Sequence, residues 1–137
     1  MPDENEPPSK GKYQDAKVIL IVEDDDDIGT FLEQALLQET PFHPVRVRDG
    51  FAALKVIHGL KPDLIILDYQ LPHMNGIELY DHIRTVNEFT DLPVILMTAS
   101  AGMPWHTLEK RNIVGLGKPL ELSTFLEIVE KLLTPPS

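Results

Sequence analysis

The sequence predicts an α/β fold built on a doubly wound parallel sheet, and three observations carry that reading. Short apolar runs rich in Val, Ile and Leu alternate along the chain with segments whose apolar residues recur at helical spacing. The best of these runs contain no polar residue, as expected of strands buried on both faces, and such strands belong to parallel sheets with right-handed helical crossovers. The third observation is what closes the runs. Val18-Ile19-Leu20-Ile21-Val22 is followed by Glu23-Asp24, and Leu64-Ile65-Ile66-Leu67 is followed by Asp68. In open α/β sheets ligands bind beyond the carboxyl ends of the strands, where the strand order reverses. Three carboxylates are therefore aimed at one edge of the sheet.

The elements follow in order. Residues 1–15 are polar, Pro-rich and almost without apolar side chains, and are expected to form a disordered leader. The folded domain is expected over 16–134, with 135–137 as a short tail. After the first strand, Ile28, Phe31, Leu32, Ala35 and Leu36 predict an amphipathic helix. Val45-Arg46-Val47 is a short second strand, preceded by the turn-rich Thr40-Pro41-Phe42-His43-Pro44 and closed by an Asp49-Gly50 turn. A second helix starts near Gly50, with Ala53, Val56, Ile57 and Leu60 on one face, and Lys61-Pro62-Asp63 breaks it. The third strand runs to Leu67, a loop spans Pro72 to Gly76, and Ile77, Tyr80, Ile83 and Arg84 lie along a third helix. Leu92-Pro93 introduces a fourth strand, Val94 to Met97, and Pro104 suits the first turn of a fourth helix, where its missing N–H costs nothing. Ile113 to Leu116 is a weak fifth strand, and Leu122, Phe125, Leu126, Val129 and Leu132 mark the last helix.

Composition narrows the function. A chain of 137 residues with 42% hydrophobic content holds one domain with a single core. Twelve Lys and Arg against 22 Asp and Glu leave a net charge of -10, which argues against direct binding to nucleic acid or to an anionic membrane. The absence of cysteine excludes disulfides and thiolate chemistry. No apolar run approaches the ~18 residues of a membrane span, and Met1 to Lys12 lack a signal-peptide core. A cytoplasmic location is the expectation.

The residues at the strand ends then define a chemistry. Glu23 and Asp24 follow the first strand, Asp68 the third, Thr98 the fourth and Lys118-Pro119 the fifth. Carboxylates a few ångströms apart repel by about 4 kcal/mol per pair at an effective dielectric near 20, and a cation removes that cost. Hard oxygen ligands without a full protein cage suit Mg²⁺, which keeps several waters and accepts a substrate phosphate. A hydroxyl and an ammonium on the same edge supply the donor and the positive charge that a phosphoryl group needs.

Four strings in this order, ILIVEDD, PDLIILDYQLPHMNGIEL, PVILMTAS and GKP, resemble the receiver domain of bacterial-type response regulators, over about Lys17 to Leu133. The resemblance implies a flavodoxin-like five-stranded parallel sheet of order 2-1-3-4-5 with five helices. It implies that a histidine kinase or phosphotransfer protein phosphorylates Asp68 in a Mg²⁺-dependent (or Mn²⁺-dependent) reaction that switches binding to a downstream effector or a fused output domain. By the same resemblance Asp24 and Glu23 ligate the metal together with Asp68 and the backbone carbonyl of Gln70, while Thr98 and Lys118 grip the phosphoryl oxygens. Pro119 follows a cis peptide bond that aims the lysine, and Gln70 and Ser100 tune dephosphorylation. Such a module is a signalling phosphoacceptor rather than an enzyme, although transfer and hydrolysis are partly self-catalysed. Two departures stand out: Gly115 occupies the position of the usual switch aromatic, and the stretch from Thr98 to Lys118 is short by about one helical turn.

Other readings compete. Glu23 and Asp24 could merely cap the first helix, and Lys118 could be a solvated loop lysine. The Asp24–Asp27 run resembles a calcium loop with Gly29 at its sixth position, but Ile28 and Ala35 stand where oxygen ligands are required. A phosphohydrolase with Asp68 as nucleophile needs an acid two residues later, where Gln70 stands. A flavin-binding protein of the same fold would want a Ser/Thr/Gly-rich phosphate loop after the first strand, where this chain has acids. The main alternative is a pseudo-receiver, a protein-interaction module independent of phosphorylation.

Overall fold

The computed structural model describes residues 16–99, 105–111 and 113–134. The chain alternates β1 (Val18–Val22), α1 (Asp26–Glu39), β2 (His43–Val47), α2 (Gly50–Leu60), β3 (Leu64–Asp68), α3 (Gly76–Arg84), a 3₁₀ turn at Asn87–Phe89, β4 (Val94–Ala99), α4 (Trp105–Arg111), β5 (Val114–Lys118) and α5 (Leu122–Leu133). The sheet is wholly parallel, in the order β2-β1-β3-β4-β5. The chain moves outward from β1 to β2, then returns across β1 to β3, so the switch point lies between β1 and β3.

Strand periodicity divides the core into two layers. Val18, Leu20, Val22, Ile65, Leu67, Val94 and Leu96 meet Ala53 and Ile57 of α2, Leu79 and Ile83 of α3 and Leu108 of α4. Their alternates Ile19, Ile21, Leu64, Ile66, Ile95 and Met97 meet Leu32 and Leu36 of α1 and Phe125, Val129 and Leu133 of α5. The helices start where side chains can accept the orphan N–H groups of the first turn. Asp25 caps α1 through the Ile28 N–H, and Asp49, more than a turn residue, caps α2 through the Ala52 N–H. Asn75 and Glu78 cap α3 reciprocally. Lys61, at φ 49°, ends α2 in the left-handed conformation just before Pro62.

Several element boundaries differ from the sequence expectation. β2 begins at His43 rather than Val45. The His43 N–H bonds to the Lys17 carbonyl, so the intervening Pro44 sits where its missing N–H would face away from the sheet, as edge strands allow. β4 continues to Ala99, and β5 is displaced to Val114–Lys118 by its pairing with β4. On α1, Phe31 is exposed, and on α5 Leu133 is buried while Leu122 is exposed. The leader (1–15), the tail (135–137), Ser100 and Pro104 lie outside the described residues. Among the described residues no helix is long and apolar enough to cross a membrane.

Candidate functional site

The carboxyl edge of the sheet gathers Glu23, Asp24, Asp68, Thr98 and Lys118, five of the residues singled out from the sequence. Glu23 is one residue beyond β1, and its N–H continues the ladder by bonding the Val47 carbonyl at 3.1 Å. Its side chain is fully buried. Asp68 is the last residue of β3 and Lys118 the last of β5, so register alone brings their side chains to the same edge. Thr98 is buried on β4, opposite Gly117. The peptide between Lys118 and Pro119 is cis.

Lys118 joins the two buried acids. Its Nζ lies 3.1 Å from Asp68 Oδ1 and 3.3 Å from Glu23 Oε1. Glu23 Oε2 also accepts from the Asp25 N–H at 3.2 Å, and Asp68 Oδ1 accepts from the Gln70 N–H at 3.4 Å. Burial comes first in pushing the Glu23 carboxyl up to about 7, reinforced by its hydrogen bond with Asp68 and the Asp68 charge; the Asp25 N–H and Lys118 pull the other way. Burial works against the charge on Lys118, but Asp68 and Glu23 together outweigh it and hold the ammonium above its ordinary range. Lys118 is therefore a charged member of the site and not a solvated loop lysine.

Asp24 stands at the exposed rim. Glu23, Asp24 and Asp68 each bring one carboxylate oxygen within 4.8 Å of the others. A donor set of hard oxygens, open to solvent on one side, fits a small divalent cation that keeps part of its water shell. The backbone behind Asp68 is equally constrained. A Cβ on Gly76 would lie 2.7 Å from the Asp68 carbonyl oxygen and 2.7 Å from Leu96 Cδ1. Only glycine lets the start of α3 pack this closely against the end of β3.

Beside the cluster, Asp27, Ile28, Phe31, Lys118, Pro119 and Leu120 line an open cleft of about 510 Å³. Two residues that the sequence did not single out, Arg46 and Arg48, hold the backbone of the acidic loop. Arg46 Nε donates to the Glu23 carbonyl at 3.0 Å, and Arg48 Nη2 donates to the Asp24 carbonyl at 3.2 Å. The available signal was their period-2 spacing at the end of β2, the strand neighbouring β1, together with an unexplained glycine inside α1. Gln70 lies two residues past Asp68, where its N–H reaches the carboxylate.

Comparison with known proteins adds to this geometry. The family described as response regulator receiver domain matches residues 19–130. The polar-differentiation response regulator DivK of Brucella anthropi is 29% identical over 119 residues, 85% of this chain and 96% of that protein. Among solved structures, the signal receiver domain of a signal transduction histidine kinase from Syntrophus aciditrophicus is 30% identical, with a TM-score of 0.77 over 87% of this chain and 91% of that one. The receiver domain of sensor histidine kinase PA1611 from Pseudomonas aeruginosa shares the fold at 24% identity, with a TM-score of 0.78 over 88% of this chain and 99% of that one. That receiver domain holds a magnesium ion in its active-site cleft.

Proposed function

The chain belongs to the response regulator receiver family, and from that premise we propose that it is a phosphoacceptor in a two-component system or phosphorelay, with Asp68 as the residue that takes the phosphoryl group. The observation that carries this reading is the placement of the Asp68 carboxylate. It ends β3 at the switch point, 3.1 Å from a charged lysine and within 4.8 Å of two further carboxylates.

The donor is a phosphohistidine on a histidine kinase or phosphotransfer protein. A carboxylate oxygen of Asp68 attacks the phosphorus, an O–P bond forms, and the P–N bond breaks with its electron pair leaving on the imidazole nitrogen. The product is a mixed carboxylic–phosphoric anhydride, and hydrolysis later returns the carboxylate and inorganic phosphate. Glu23, Asp24, Asp68 and the Gln70 backbone carbonyl would hold Mg²⁺ or Mn²⁺. When bound, the cation would neutralise the clustered carboxylates and the incoming phosphoryl oxygens. Lys118 is already charged and needs only to exchange a carboxylate oxygen for a phosphoryl oxygen. The Thr98 hydroxyl supplies a second donor from β4. By the family resemblance, Gln70 tunes the lifetime of the phosphorylated form; Ser100, given the same role by that resemblance, lies outside the described residues.

The exposed ring of Phe31 and the cleft beside Lys118 give the partner an apolar footing next to the reacting carboxylate. The output is altered binding to a downstream effector or to an output domain, and the cytoplasm is where such partners meet it. With a net charge of -10 the chain itself does not contact nucleic acid. A pseudo-receiver is the second reading, and Gly115, in place of a switch aromatic, is the feature that favours it. Intact-mass analysis after incubation with Mg²⁺ and a small acyl phosphate separates the two. One added phosphoryl group, absent from Asp68→Asn, is the expected result. No addition to the wild-type protein would establish the pseudo-receiver, and equal labelling of Asp68→Asn would move the phosphoacceptor elsewhere.

A further inference from the structure

Arg46, within β2, and Arg48, one residue past it, have no part in the phosphoryl-transfer scheme beyond holding the backbone that presents the acids. They are two residues apart on extended backbone and so share a face of the sheet. Arg46 pairs in register with Ile21, whose side chain packs on the α1 side. Its guanidinium donates to the Glu23 carbonyl at 3.0 Å and to Asp26 Oδ1 at 3.1 Å. Arg48 binds the next carbonyl, that of Asp24, at 3.2 Å and also pairs with Asp26. Two consecutive carbonyls of the acidic loop are thus each gripped by a guanidinium, and Asp26 ties the two grips together.

Room for this grip comes from α1. A Cβ on Gly29 would lie 2.1 Å from Arg46 Nε and 2.3 Å from Cζ, far inside contact distance. Glycine is among the poorest helix formers, but at this position it opens a slot in which the Arg46 side chain is only 12% exposed. The slot and the grip are independent observations on the same side chain.

We propose that Arg46, lodged in the slot left by Gly29, is a positioning residue that fixes the backbone of Glu23 and Asp24 and so sets the affinity of their carboxylates for a divalent cation, with Arg48 as its outer partner. The inference rests on the reading of the acidic cluster as a metal site. Beyond the Glu23 N–H the β ladder no longer holds the loop. Asp25 is fixed by its cap on α1, but the Glu23 and Asp24 carbonyls are held by the arginines. Without the arginines a cation would have to order that stretch of backbone as it bound. The guanidinium also brings a positive charge toward the site, which by itself opposes cation binding. Position and charge therefore predict opposite outcomes when Arg46 is replaced.

Mg²⁺ titration by calorimetry on the full chain distinguishes them. Arg46→Lys keeps the charge and loses the two-pronged grip; Arg46→Gln loses both. If position governs, both variants bind Mg²⁺ about tenfold more weakly, as is common when groups behind metal ligands are lost. Unchanged affinity in Arg46→Lys, or tighter binding in Arg46→Gln, overturns the proposal. Gly29→Ala adds only a methyl group, with no change of charge, and is expected to weaken Mg²⁺ binding like Arg46→Lys. The same substitution should lower the melting temperature of the wild-type protein and raise that of Arg46→Ala, where the methyl group has space and helix propensity prevails. A change of the same sign in both backgrounds overturns the slot. Asp24→Asn is the control for the underlying reading. If it binds Mg²⁺ like the wild type, the acidic loop is not the metal site and both readings fall. If it loses Mg²⁺ while Arg46→Lys does not, only the positioning role falls.

Discussion

Replacing Glu23 with glutamine removes a charge from a fully buried position while keeping the shape of the side chain. In the folded protein this carboxyl is held up to about 7, against 4.5 ordinarily, by burial and by Asp68. A group whose folded value is raised contributes stability that is fully present below the unfolded value and is lost as pH rises through the folded one. The window is therefore about pH 4.5 to 7. Above it, ionised Glu23 faces Asp68 and Asp24, with Lys118 as the compensating cation. Moving the carboxyl from 4.5 to about 7 corresponds to up to about 3 kcal/mol of stability lost by pH 8 in metal-free buffer. The glutamine of Glu23→Gln does not ionise and escapes this loss. Its amide oxygen can still accept from the Asp25 N–H, so the loop geometry is retained. Urea unfolding of both proteins at pH 5 and pH 8, with chelator present, measures the effect. Titrating groups that do not interact with Glu23 are common to the two proteins and cancel in the difference, which leaves Glu23 and its partners Asp68 and Lys118. The expected result is a variant more stable than the wild type at pH 8 and little different at pH 5. With saturating Mg²⁺ the order at pH 8 should reverse or close, because the cation binds the ionised carboxylate of the wild type. Parallel pH profiles for the two proteins would refute the reasoning, since Glu23 would then ionise as it does in the unfolded chain.

Other expectations follow from the same contacts. Lys118→Met leaves Asp68 and Glu23 without their shared ammonium and should cost about 1–3 kcal/mol in metal-free buffer at pH 8, a partly solvated version of breaking a buried pair; urea unfolding checks it, and added Mg²⁺ should restore part of the loss. Arg111 binds Asp81 through both carboxylate oxygens at 2.9 and 3.0 Å, and its carbonyl accepts from Tyr80 Oη. These contacts fasten the short helix α4 to α3, so Tyr80→Phe should cost about 1 kcal/mol and speed amide exchange in 105–111 before it affects the sheet. Phe125→Ala empties a fully buried site between α5 and the sheet and should cost about 3–5 kcal/mol in urea unfolding. Mg²⁺ at a hundredfold excess over its dissociation constant should add about 2.7 kcal/mol to the wild-type protein, and little to Asp24→Asn.

Much of this protein is written in stretches of consecutive residues. Val18–Val22 and Leu64–Leu67 announce buried strands because no polar residue interrupts them, and the acids that close them mark the working edge of any parallel sheet. The sequence, through its family resemblance, also implied the order β2-β1-β3-β4-β5, which the fold has. Its weaker statements concern the sheet edges. β2 contains a proline and an arginine, and β5 reads Val114-Gly115-Leu116-Gly117-Lys118, so neither has the apolar continuity that betrays a strand. Their limits are decided by hydrogen bonds to β1 and β4, which local pattern does not contain. By sequence Lys118 could be a solvated loop lysine, whereas the folded chain sets its ammonium against two buried carboxylates. Arg46 shows the same limit most clearly. Its partners Glu23, Asp26 and Gly29 lie just past β1 and on α1, more than a dozen residues away in the chain, and only the packing of α1 across β1 and β2 brings them together. Periodicity records which face a side chain takes, but which distant group it meets on that face is decided by packing.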